Sequence, residues 1–505
     1  MDFSLILTLL LVPGLILVHH FIISPYRRMR QYKEKGIPNL YFFPLLGIMY
    51  YMYRDFFRRK DSLYFLKQFV KNYPDAKFIV SNWGTTLYFI MIDPGMIRDL
   101  VVKNIEKTRA DHTNTFDPML GDQSIVFSEG EGWNKRRKLH SYGYTLENLK
   151  KLTPMMIDIA DKNLSQIGKD KNKDAMNVLL SLFTMTGEFM QTSILGSKTQ
   201  DIKIGGMPLV NYQFYIAEFL FQRMLSLPFF IFGKKYYNHA LFGNEKKIND
   251  KAKLLRKVIT DEIESVKAED MKNVPGKEMK LLDFWIQSME KKEDLKKSDI
   301  DLTSEFIILV GTGVELTSHY ILSCLLMLND HPEVLKKLRQ ELDENITNEN
   351  EFTYDKIDSL QYLSAFMKEV LRMGHPSPLG TMKQLDMDCM LGEYSFKKDM
   401  ICLNGFGLNC MKEKYFKNPE EFRPERWLKD GVVQESINDE SMSFIPFSIG
   451  PRSCIGSDFA LMESKIVVTK FVTRFDFEVL TKPIQWRFAV TYGPSHPVLF
   501  KLKPL

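Results

Sequence analysis

The sequence predicts a mainly α-helical protein with small β-sheets, the α+β class, and three observations support this prediction. Apolar residues recur with helical periodicity from about residue 55 to residue 372. Strand-like runs are confined to residues 76–94, to residues 393–407 and to the last 35 residues. The chain has 505 residues, of which 45% are hydrophobic, so it is long enough to bury a large core.

Residues 1–25 are predicted to be a membrane anchor. Residues 3–24 contain no Asp, Glu, Lys or Arg, and about 20 apolar residues are what a helix needs to cross a bilayer core of roughly 30 Å. Arg27, Arg28 and Arg30 follow, so the positive-inside rule places the rest of the protein in the cytosol. A cleaved signal peptide is the alternative, but a basic n-region and a small-residue cleavage site are lacking.

The remainder of the chain is predicted to contain a linker and one large domain. Residues 26–50 are basic and carry Pro38, Pro44 and Gly47, which is typical of a stiff linker. Residues 51–505 are predicted to form this domain. Within it, residues 76–94 are predicted to form a β-hairpin, because two β-rich runs flank a turn that contains glycine.

Charge and cysteine content exclude several classes of protein. There are 68 basic and 63 acidic residues, and the basic ones are dispersed, which argues against a nucleic-acid partner. The five cysteines are scattered without CxxC spacing. This pattern argues against a disulfide framework and a structural zinc site, and it favours a reducing compartment.

One predicted helix, residues 303–328, is apolar nearly all round and is expected to cross the core. It nevertheless carries Gly311, Gly313 and Glu315, although glycine weakens a helix and a buried charge is costly unless paired. One interpretation is that Glu315 pairs with His319 one turn later and that the glycines permit tight helix crossing. The other is that a ligand or cofactor lies against the opened helix.

A cysteine in a loop near the C-terminus points to a cofactor. Cys454 stands in the stretch PFSIGPRSCIGSDFALMESK, between Gly450 and Gly456, and it precedes a predicted helix. The glycines allow close backbone approach to a flat group, and a helix N-terminus favours a thiolate. Arg452 offers a fixed cation. Together these features suit a metal macrocycle that bears carboxylates.

The stretch FSIGPRSCIG resembles the haem-binding signature of the cytochrome P450 haem-thiolate monooxygenases, with Phe447, Gly450, Arg452, Cys454 and Gly456 at the signature positions. The resemblance extends over essentially the whole chain. It implies a cytochrome P450-like fold behind the N-terminal transmembrane helix. It also implies haem b as cofactor, with Cys454 as the axial thiolate ligand that favours O–O cleavage.

Further motifs follow the order that the family has. Glu369 and Arg372 resemble its ExxR pair, which Arg426 of the FRPERW stretch would complete as a Glu–Arg–Arg network. Trp133 and Arg137 resemble its WxxxR motif, whose side chains contact the haem propionates. Ala460 and Glu463 after the cysteine loop also match.

The chain departs from the family pattern at two places. Where the oxygen-activating helix usually has a threonine directly after the acid, Leu316 follows Glu315. Thr312, four residues earlier on the same helical face, and Thr317 are the candidate replacements for that hydroxyl, or an ordered water serves instead, and Glu315 is expected to supply protons.

The second departure concerns the basic residue expected after the ExxR helix. Lys383 stands where the family usually has an arginine that contacts a propionate. His375 is the alternative partner.

Three functions are consistent with these residues. The first is a membrane-bound monooxygenase of the endoplasmic reticulum that inserts one oxygen atom into an apolar substrate. The second is a haem-thiolate isomerase or dehydratase that acts on peroxides without O₂ activation, which Leu316 favours. The third is a non-catalytic haem protein.

For the first function, the resemblance implies electrons from NADPH through NADPH–cytochrome P450 reductase, with cytochrome b5 as a further candidate donor. Its docking surface is predicted to include the basic residues Lys135, Arg136, Lys138 and Lys429. The substrate pocket is expected to involve residues 111–127, 214–232 and 376–382, the face of the helix that carries Gly311 and Gly313, and the turn near Thr491. Residues 225–233 are predicted either to contact the bilayer or to pack into the core.

Overall fold

The structure is a computed structural model. It describes residues 3–103, 116–121, 123–169, 174–224, 243–270, 280–291, 300–348, 351–380, 382–435, 441–489 and 491–505.

Helices make up most of this described part of the chain. In order they are α1 (Phe3–Val18), α2 (Ser24–Glu34), α3 (Ile48–Arg59), α4 (Tyr64–Asn72), α5 (Pro94–Arg98), α6 (Asp117–Leu120), α7 (Gly130–Gly143), α8 (Leu146–Lys169), α9 (Val178–Leu195), α10 (Leu209–Met224), α11 (Gly243–Asp270), α12 (Leu281–Lys291), α13 (Leu302–Asp330), α14 (Pro332–Asn345), α15 (Tyr354–Asp358), α16 (Gln361–Met373), α17 (Phe406–Asn409) and α18 (Ser457–Arg474). Short π-helical segments cover His19–Ile23 and Asp99–Lys103.

The strands are short and stand mostly towards the two ends of the chain. They are β1 (Phe78–Trp83), β2 (Thr86–Met91), β3 (Met176–Asn177), β4 (Lys203–Ile204), β5 (Met207–Pro208), β6 (Met382–Gln384), β7 (Cys389–Leu391), β8 (Tyr394–Phe396), β9 (Ile401–Asn404), β10 (Leu428–Lys429), β11 (Val432–Val433), β12 (Phe475–Val479), β13 (Trp486–Phe488), β14 (Tyr492–Pro494) and β15 (Leu499–Pro504). The predicted α+β class is confirmed.

The predicted hairpin is confirmed as β1 and β2, which pair antiparallel around a turn at Gly84. The hairpin belongs to a four-stranded sheet of order β1-β2-β9-β6, in which β2 and β9 run parallel. Its apolar side chains form a core of their own with α4 and α5. In this sheet β6, which carries Lys383, pairs with β9, and β9 in turn pairs with β2 from the opposite end of the sequence.

Helix α13 crosses the larger core, as predicted, and most of its side chains are buried. Gly313 allows it to pack closely on α9, because a Cβ there would lie 2.7 Å from the Met190 Sδ. A Cβ on Gly311 would lie 3.2 Å from the Gln213 amide of α10. The glycines therefore permit tight helix crossing.

The N-terminal segment forms one helical run from Phe3 to Glu34, with a π-helical turn between α1 and α2. The predicted linker, residues 26–50, is more integrated than a linker would be, because Met29, Ile37 and Leu40 are buried in the core beneath the four-stranded sheet. Two helices of the described chain, α9 and α13, are apolar and long enough to cross a membrane, but both are mostly buried within the protein.

Candidate active site

A cavity of about 290 Å³ lies between α13 and the loop that precedes α18. Cys454 lines this cavity, and the surface that its side chain exposes faces this interior space. The loop is held by a hydrogen bond from the Cys454 N–H to the Phe447 carbonyl, 2.9 Å long. Phe447, Arg452 and Gly456 also line the cavity, so four of the five predicted signature residues meet there.

Gly450 has a different role from the one that the sequence suggested. Its φ of +76° is a conformation that favours glycine, and a Cβ there would lie 3.2 Å from the Val101 carbonyl. Gly450 therefore shapes the turn and allows the segment Asp99–Lys103 to pack on the loop, whereas Gly456 faces the cavity.

The protein environment alone favours the neutral thiol of Cys454. Burial raises the pKa of Cys454, while the Gly456 backbone N–H and the Arg137 guanidinium act in the opposite direction without cancelling that effect. The helix N-terminus favours the thiolate as expected, through the Gly456 N–H, but burial outweighs this effect in the protein by itself. Coordination to a metal deprotonates a thiol outright, so the site still suits a thiolate ligand.

Three of the predicted cofactor residues meet beside the cysteine loop. The Arg452 guanidinium lies 4.3 Å from the ring centroid of the buried Trp133. Arg137, one turn further along α7, donates a 2.6 Å hydrogen bond to the Ser453 carbonyl. Such an arrangement fixes two cations next to the cavity, where they suit the carboxylates of an acidic ligand.

Lys383 is a buried cation near Arg452. Its Nζ donates a 3.4 Å hydrogen bond to the Leu100 carbonyl. Burial lowers the pKa of Lys383 to about 8, Asp386 opposes this effect, and the charge of Arg452 lowers the pKa further. Two cations that approach each other in a buried place fit an anionic group between them.

His375, the alternative partner, does not supply a positive charge. Its Nδ1 accepts a hydrogen bond from the Ser377 N–H, and its Nε2 lies 2.9 Å from the Pro446 carbonyl. Burial lowers the pKa of His375 to about 4, so the ring is neutral near pH 7. The imidazole lines the cavity but serves to tie two loops together.

The face of α13 towards the cavity carries Leu309, Thr312, Gly313, Leu316 and Thr317. The predicted placement of Thr312 on the same face as Leu316 is confirmed. The Thr312 hydroxyl donates a 2.8 Å hydrogen bond to the Ile308 carbonyl within the helix.

Glu315 is not among the residues that line this cavity. Its Oε1 accepts a 2.7 Å hydrogen bond from the Thr491 hydroxyl, which also lies 3.2 Å from the His319 Nδ1. The suggested pair of Glu315 and His319 is thus bridged by a third side chain. Burial raises the pKa of Glu315, although the bond from Thr491 opposes this effect.

The ion-pair network predicted from Glu369, Arg372 and Arg426 forms. Arg372 donates two hydrogen bonds to the Glu369 carboxylate, of 2.8 and 2.9 Å, and Arg426 donates one of 2.9 Å. The Trp427 indole N–H donates another, of 2.9 Å, which sequence reasoning did not anticipate. Burial would raise the pKa of Glu369, but the two arginines outweigh it and hold the pKa below its usual value.

A second buried carboxylate, Glu305, was missed. It accepts hydrogen bonds from Arg136 Nε at 3.0 Å and from the Ile125 N–H at 3.2 Å, and its Oε2 lies 2.8 Å from His140 Nε2. The rule that singled out Glu315, a charge on an apolar helix, applies equally to Glu305. The network also corrects the predicted docking surface, because Arg136 is buried and unavailable to a partner.

Glu463 is buried against the cavity, and among the described residues neither of its carboxylate oxygens has a hydrogen-bond partner. Burial raises the pKa of Glu463 well above the usual value, which favours its neutral form. Other predicted pocket segments, in particular residues 225–233 and parts of 111–127 and 214–232, lie outside the described residues.

These features define a class of protein: a helical fold in which one cysteine opens onto an interior cavity beneath a core helix. The cavity walls are largely apolar, with Leu309, Leu316, Ile455 and Phe459 among them. Arg452, Arg137 and Lys383 gather near the cysteine loop. A flat apolar macrocycle with acidic edge groups and a metal that accepts one thiolate fits these residues.

Comparison with known proteins gives the family. A sequence model described as cytochrome P450 matches residues 40–491. Cytochrome P450 3A9 of Rattus norvegicus is 27% identical over 519 aligned residues, which cover 99% of this chain and 97% of the relative. Cytochrome P450 3A16 of Mus musculus is 24% identical over 94% of this chain and 92% of its own. Cytochrome P450 3A13 of Mus musculus is 27% identical over 81% of each chain.

The chain belongs to the cytochrome P450 family. It is therefore a haem-dependent monooxygenase whose iron is held by a cysteine thiolate. As a member of this family it receives electrons from a redox partner and acts on an apolar substrate.

Proposed function

We propose that this protein is a membrane-bound monooxygenase that inserts one oxygen atom of O₂ into an apolar organic substrate, a lipid, a sterol or a xenobiotic. The electrons come from NADPH through NADPH–cytochrome P450 reductase, with cytochrome b5 as a second donor. The observation that carries the proposal is the placement of Cys454, which opens onto the cavity under α13.

In this proposal each residue of the site has a defined task. Cys454 ligates the iron, and Arg452, Arg137, Trp133 and Lys383 hold the carboxylates of the haem. Bound haem supplies the iron centre at which O₂ is reduced and split. The apolar walls of the cavity exclude water from that centre.

Proton supply is assigned to α13. Leu316 cannot donate a hydrogen bond, but the hydroxyls of Thr312 and Thr317 belong to residues that line the same cavity. We assign the lost function to Thr312, because its side chain is exposed to the cavity, whereas Thr317 is buried. Glu315 is assigned as the residue that supplies protons to these hydroxyls.

The membrane attachment is assigned to the N-terminal helix, with the catalytic domain on the cytosolic face of the endoplasmic reticulum. Leu15, Ile16 and Leu17 are exposed on that helix, as expected of side chains that face lipid. The reductase is proposed to bind the basic surface that includes Lys429, which is exposed.

The test of the cofactor assignment is the absorbance difference between the dithionite-reduced protein with and without carbon monoxide. A strongly red-shifted Soret band that is abolished in Cys454→Ala is expected. A band typical of histidine ligation, or the same band in Cys454→Ala, would contradict the assignment. Product formation from a peroxide without NADPH and reductase would instead support the isomerase alternative.

The role of Thr312 is tested by comparing Thr312→Val with Leu316→Thr. We measure hydrogen peroxide released per NADPH oxidised with the reductase, because peroxide escapes when proton delivery fails. Thr312→Val is expected to raise this ratio, and Leu316→Thr, which restores the usual hydroxyl, to lower it. An unchanged ratio in Thr312→Val would contradict the role of Thr312.

A further inference from the structure

The hydrogen-bond partner of Glu315 comes from a distant part of the chain. Thr491 lies in the connection between β13 and β14, and it is separated from Glu315 by 176 positions in the sequence. Its hydroxyl donates the 2.7 Å hydrogen bond to Glu315 Oε1 and is buried with only 5% of the residue exposed. A short charge-assisted bond of this kind holds a carboxylate in one orientation.

The position of Thr491 is fixed by His319 as well as by Glu315. His319 Nδ1 lies 3.2 Å from the Thr491 hydroxyl, and a hydroxyl that donates its one hydrogen to Glu315 can only accept from this nitrogen. The neighbouring β14 packs directly on that ring, because a Cβ on Gly493 would overlap the His319 imidazole. Gly493 therefore makes room for His319, and His319 orients Thr491.

The charged groups around this cluster are an ion pair at its edge. Arg487 of β13 and Glu218 of α10 lie 3.4 Å apart and are partly exposed. Glu218 raises and Arg487 lowers the pKa of Glu315, and both effects are smaller than that of burial. Burial lowers the pKa of His319 to about 4, so this ring is neutral near pH 7. Thr491 is thus the group that contacts the Glu315 carboxyl most directly.

The cluster stands next to the position where the usual hydroxyl is missing. Glu315 and Leu316 are consecutive residues of α13, and successive side chains of a helix are turned by about 100°. Leu316 faces the cavity, and Glu315 faces the β13–β14 connection. The Glu315 carboxyl therefore has a hydroxyl partner, but this partner, Thr491, comes from a distant part of the chain.

We propose that Thr491 is a positioning residue for oxygen activation, which orients Glu315 as the proton source through its hydrogen bond to Oε1, while Thr312 takes the place of the hydroxyl missing at position 316. The proposal rests on the function proposed above, in which Glu315 supplies protons. It adds a residue outside α13 to that function, and it gives His319 and Gly493 the task of holding this residue.

Thr491→Val and Thr491→Ser form a matched pair, because valine keeps the shape and removes the hydroxyl, whereas serine keeps the hydroxyl. The first readout is the infrared carbonyl stretch of the protonated Glu315 carboxyl, assigned as the band that Glu315→Gln removes. Thr491 stabilises the charged form of Glu315. In Thr491→Val the band is therefore expected to shift and to persist to higher pH than in the wild-type holoprotein, while Thr491→Ser leaves it in place.

The second readout is hydrogen peroxide released per NADPH oxidised with the reductase. We expect the fraction of oxidised NADPH that does not yield hydrogen peroxide to fall about tenfold in Thr491→Val. A tenfold change is the effect expected when one hydrogen bond to a charged group is lost. Thr491→Ser is expected to stay within about twofold of the wild type, since it retains that bond.

The outcomes separate this proposal from the function on which it rests. A normal peroxide ratio in Glu315→Gln would contradict the proposed function of Glu315 as the proton source. If Glu315→Gln is impaired and Thr491→Val matches the wild type in both readouts, the positioning role is wrong. Equal impairment of the serine and valine variants would also overturn it, because packing would then be responsible. Thr491→Ala replaces the valine variant if valine prevents folding.

Discussion

Two lysines are buried to the same degree but have different surroundings. Lys383 and Lys412 are each 7% exposed, and burial lowers the pKa of both to about 8. Lys383 approaches Arg452 beside the cysteine loop, whereas Lys412 donates a 3.1 Å hydrogen bond to the Ala76 carbonyl, away from the cavity. Lys412 therefore serves as the comparison for burial, and Lys383 is the proposed partner of a cofactor carboxylate.

Replacement of these lysines by methionine is expected to act in opposite directions at pH 7. The pKa of Lys412 in the folded protein, about 8, lies below its ordinary value of 10.5. The unfolded chain therefore binds the proton more tightly, and below pH 8 the buried charge makes folding less favourable. Lys412→Met is expected to raise the free energy of unfolding at pH 7 by about 1–2 kcal/mol after allowance for solvent screening. The gain should fade as the pH rises from about 8 to 10.5.

Lys383→Met is expected to lower the free energy of unfolding of the holoprotein at pH 7, because the proposed partner of its charge is a carboxylate of the haem. Urea unfolding at pH 7 and pH 10 measures both variants. If Lys383→Met instead stabilises the holoprotein as Lys412→Met does, Lys383 has no anionic partner and the propionate assignment fails.

Single residues that carry chemistry were the part most open to prediction from the sequence. Cys454, Arg452 and Phe447 could be found because their types and spacing are themselves the signal. Glu315 was noticed because a charge on an apolar helix needs a partner, but Thr491 could not be named as that partner. Nothing local to Thr491 distinguishes its hydroxyl from any other in a turn.

At the scale of elements, α7 joins the candidate site to the core through its two faces. Trp133 and Arg137 lie beside the cysteine loop, while Arg136 and His140 point to Glu305 of α13. Residues three and four apart share a face of a helix, so one short helix can serve both contacts. The buried charge network therefore fixes the helix that holds two of the proposed haem contacts.

Glu305→Gln is expected to lower the free energy of unfolding by about 3–5 kcal/mol, because it removes the buried carboxylate to which Arg136 donates a hydrogen bond. Glu131→Gln is the matched control on the same helix, since Glu131 pairs with Lys135 at 3.2 Å and is 82% exposed. Glu131→Gln should lower the free energy of unfolding by at most about 1 kcal/mol. Urea unfolding of both holoproteins measures the difference, and similar small costs would show that the Glu305 network does not stabilise the helix.

The elements themselves followed their sequence patterns closely. The hairpin of β1 and β2 and the apolar helix α13 formed where periodicity and turn residues indicated them. The linker prediction fared differently, because prolines and basic residues mark a change of composition but do not reveal burial. Met29, Ile37 and Leu40 are buried because the four-stranded sheet offers them an apolar surface.

At the scale of the whole molecule, the apolar N-terminal helix stands apart from the two hydrophobic cores. Its side chains from Leu11 to Val18 are mostly exposed, while α9 and α13, which are also apolar, are mostly buried. Exposed apolar surface on a long helix costs free energy in water and is favourable in lipid. Within the part of the chain that the structure describes, this arrangement favours the proposed attachment through the N-terminal helix.

Deletion of residues 1–25 is expected to reduce binding of the holoprotein to phospholipid vesicles strongly, as measured by flotation. Leu15→Arg with Ile16→Arg in the full-length chain is the companion variant, because central charges oppose insertion by about 2.5–3.5 kcal/mol each. Both variants should retain the carbon monoxide difference spectrum. Undiminished flotation of the deletion variant would place the membrane contact elsewhere in the protein.

The sequence by itself determined the fold class, the cysteine ligand and most of the residues around it, because those features depend on periodicity and on residue types at short spacing. The tertiary structure decided which distant groups meet. It joined Glu305 to Arg136, Thr491 to Glu315 and Trp427 to Glu369, and it removed Arg136 from the surface. Each of these contacts compensates a buried charge, and burial is a property of the folded chain that no short stretch of sequence contains.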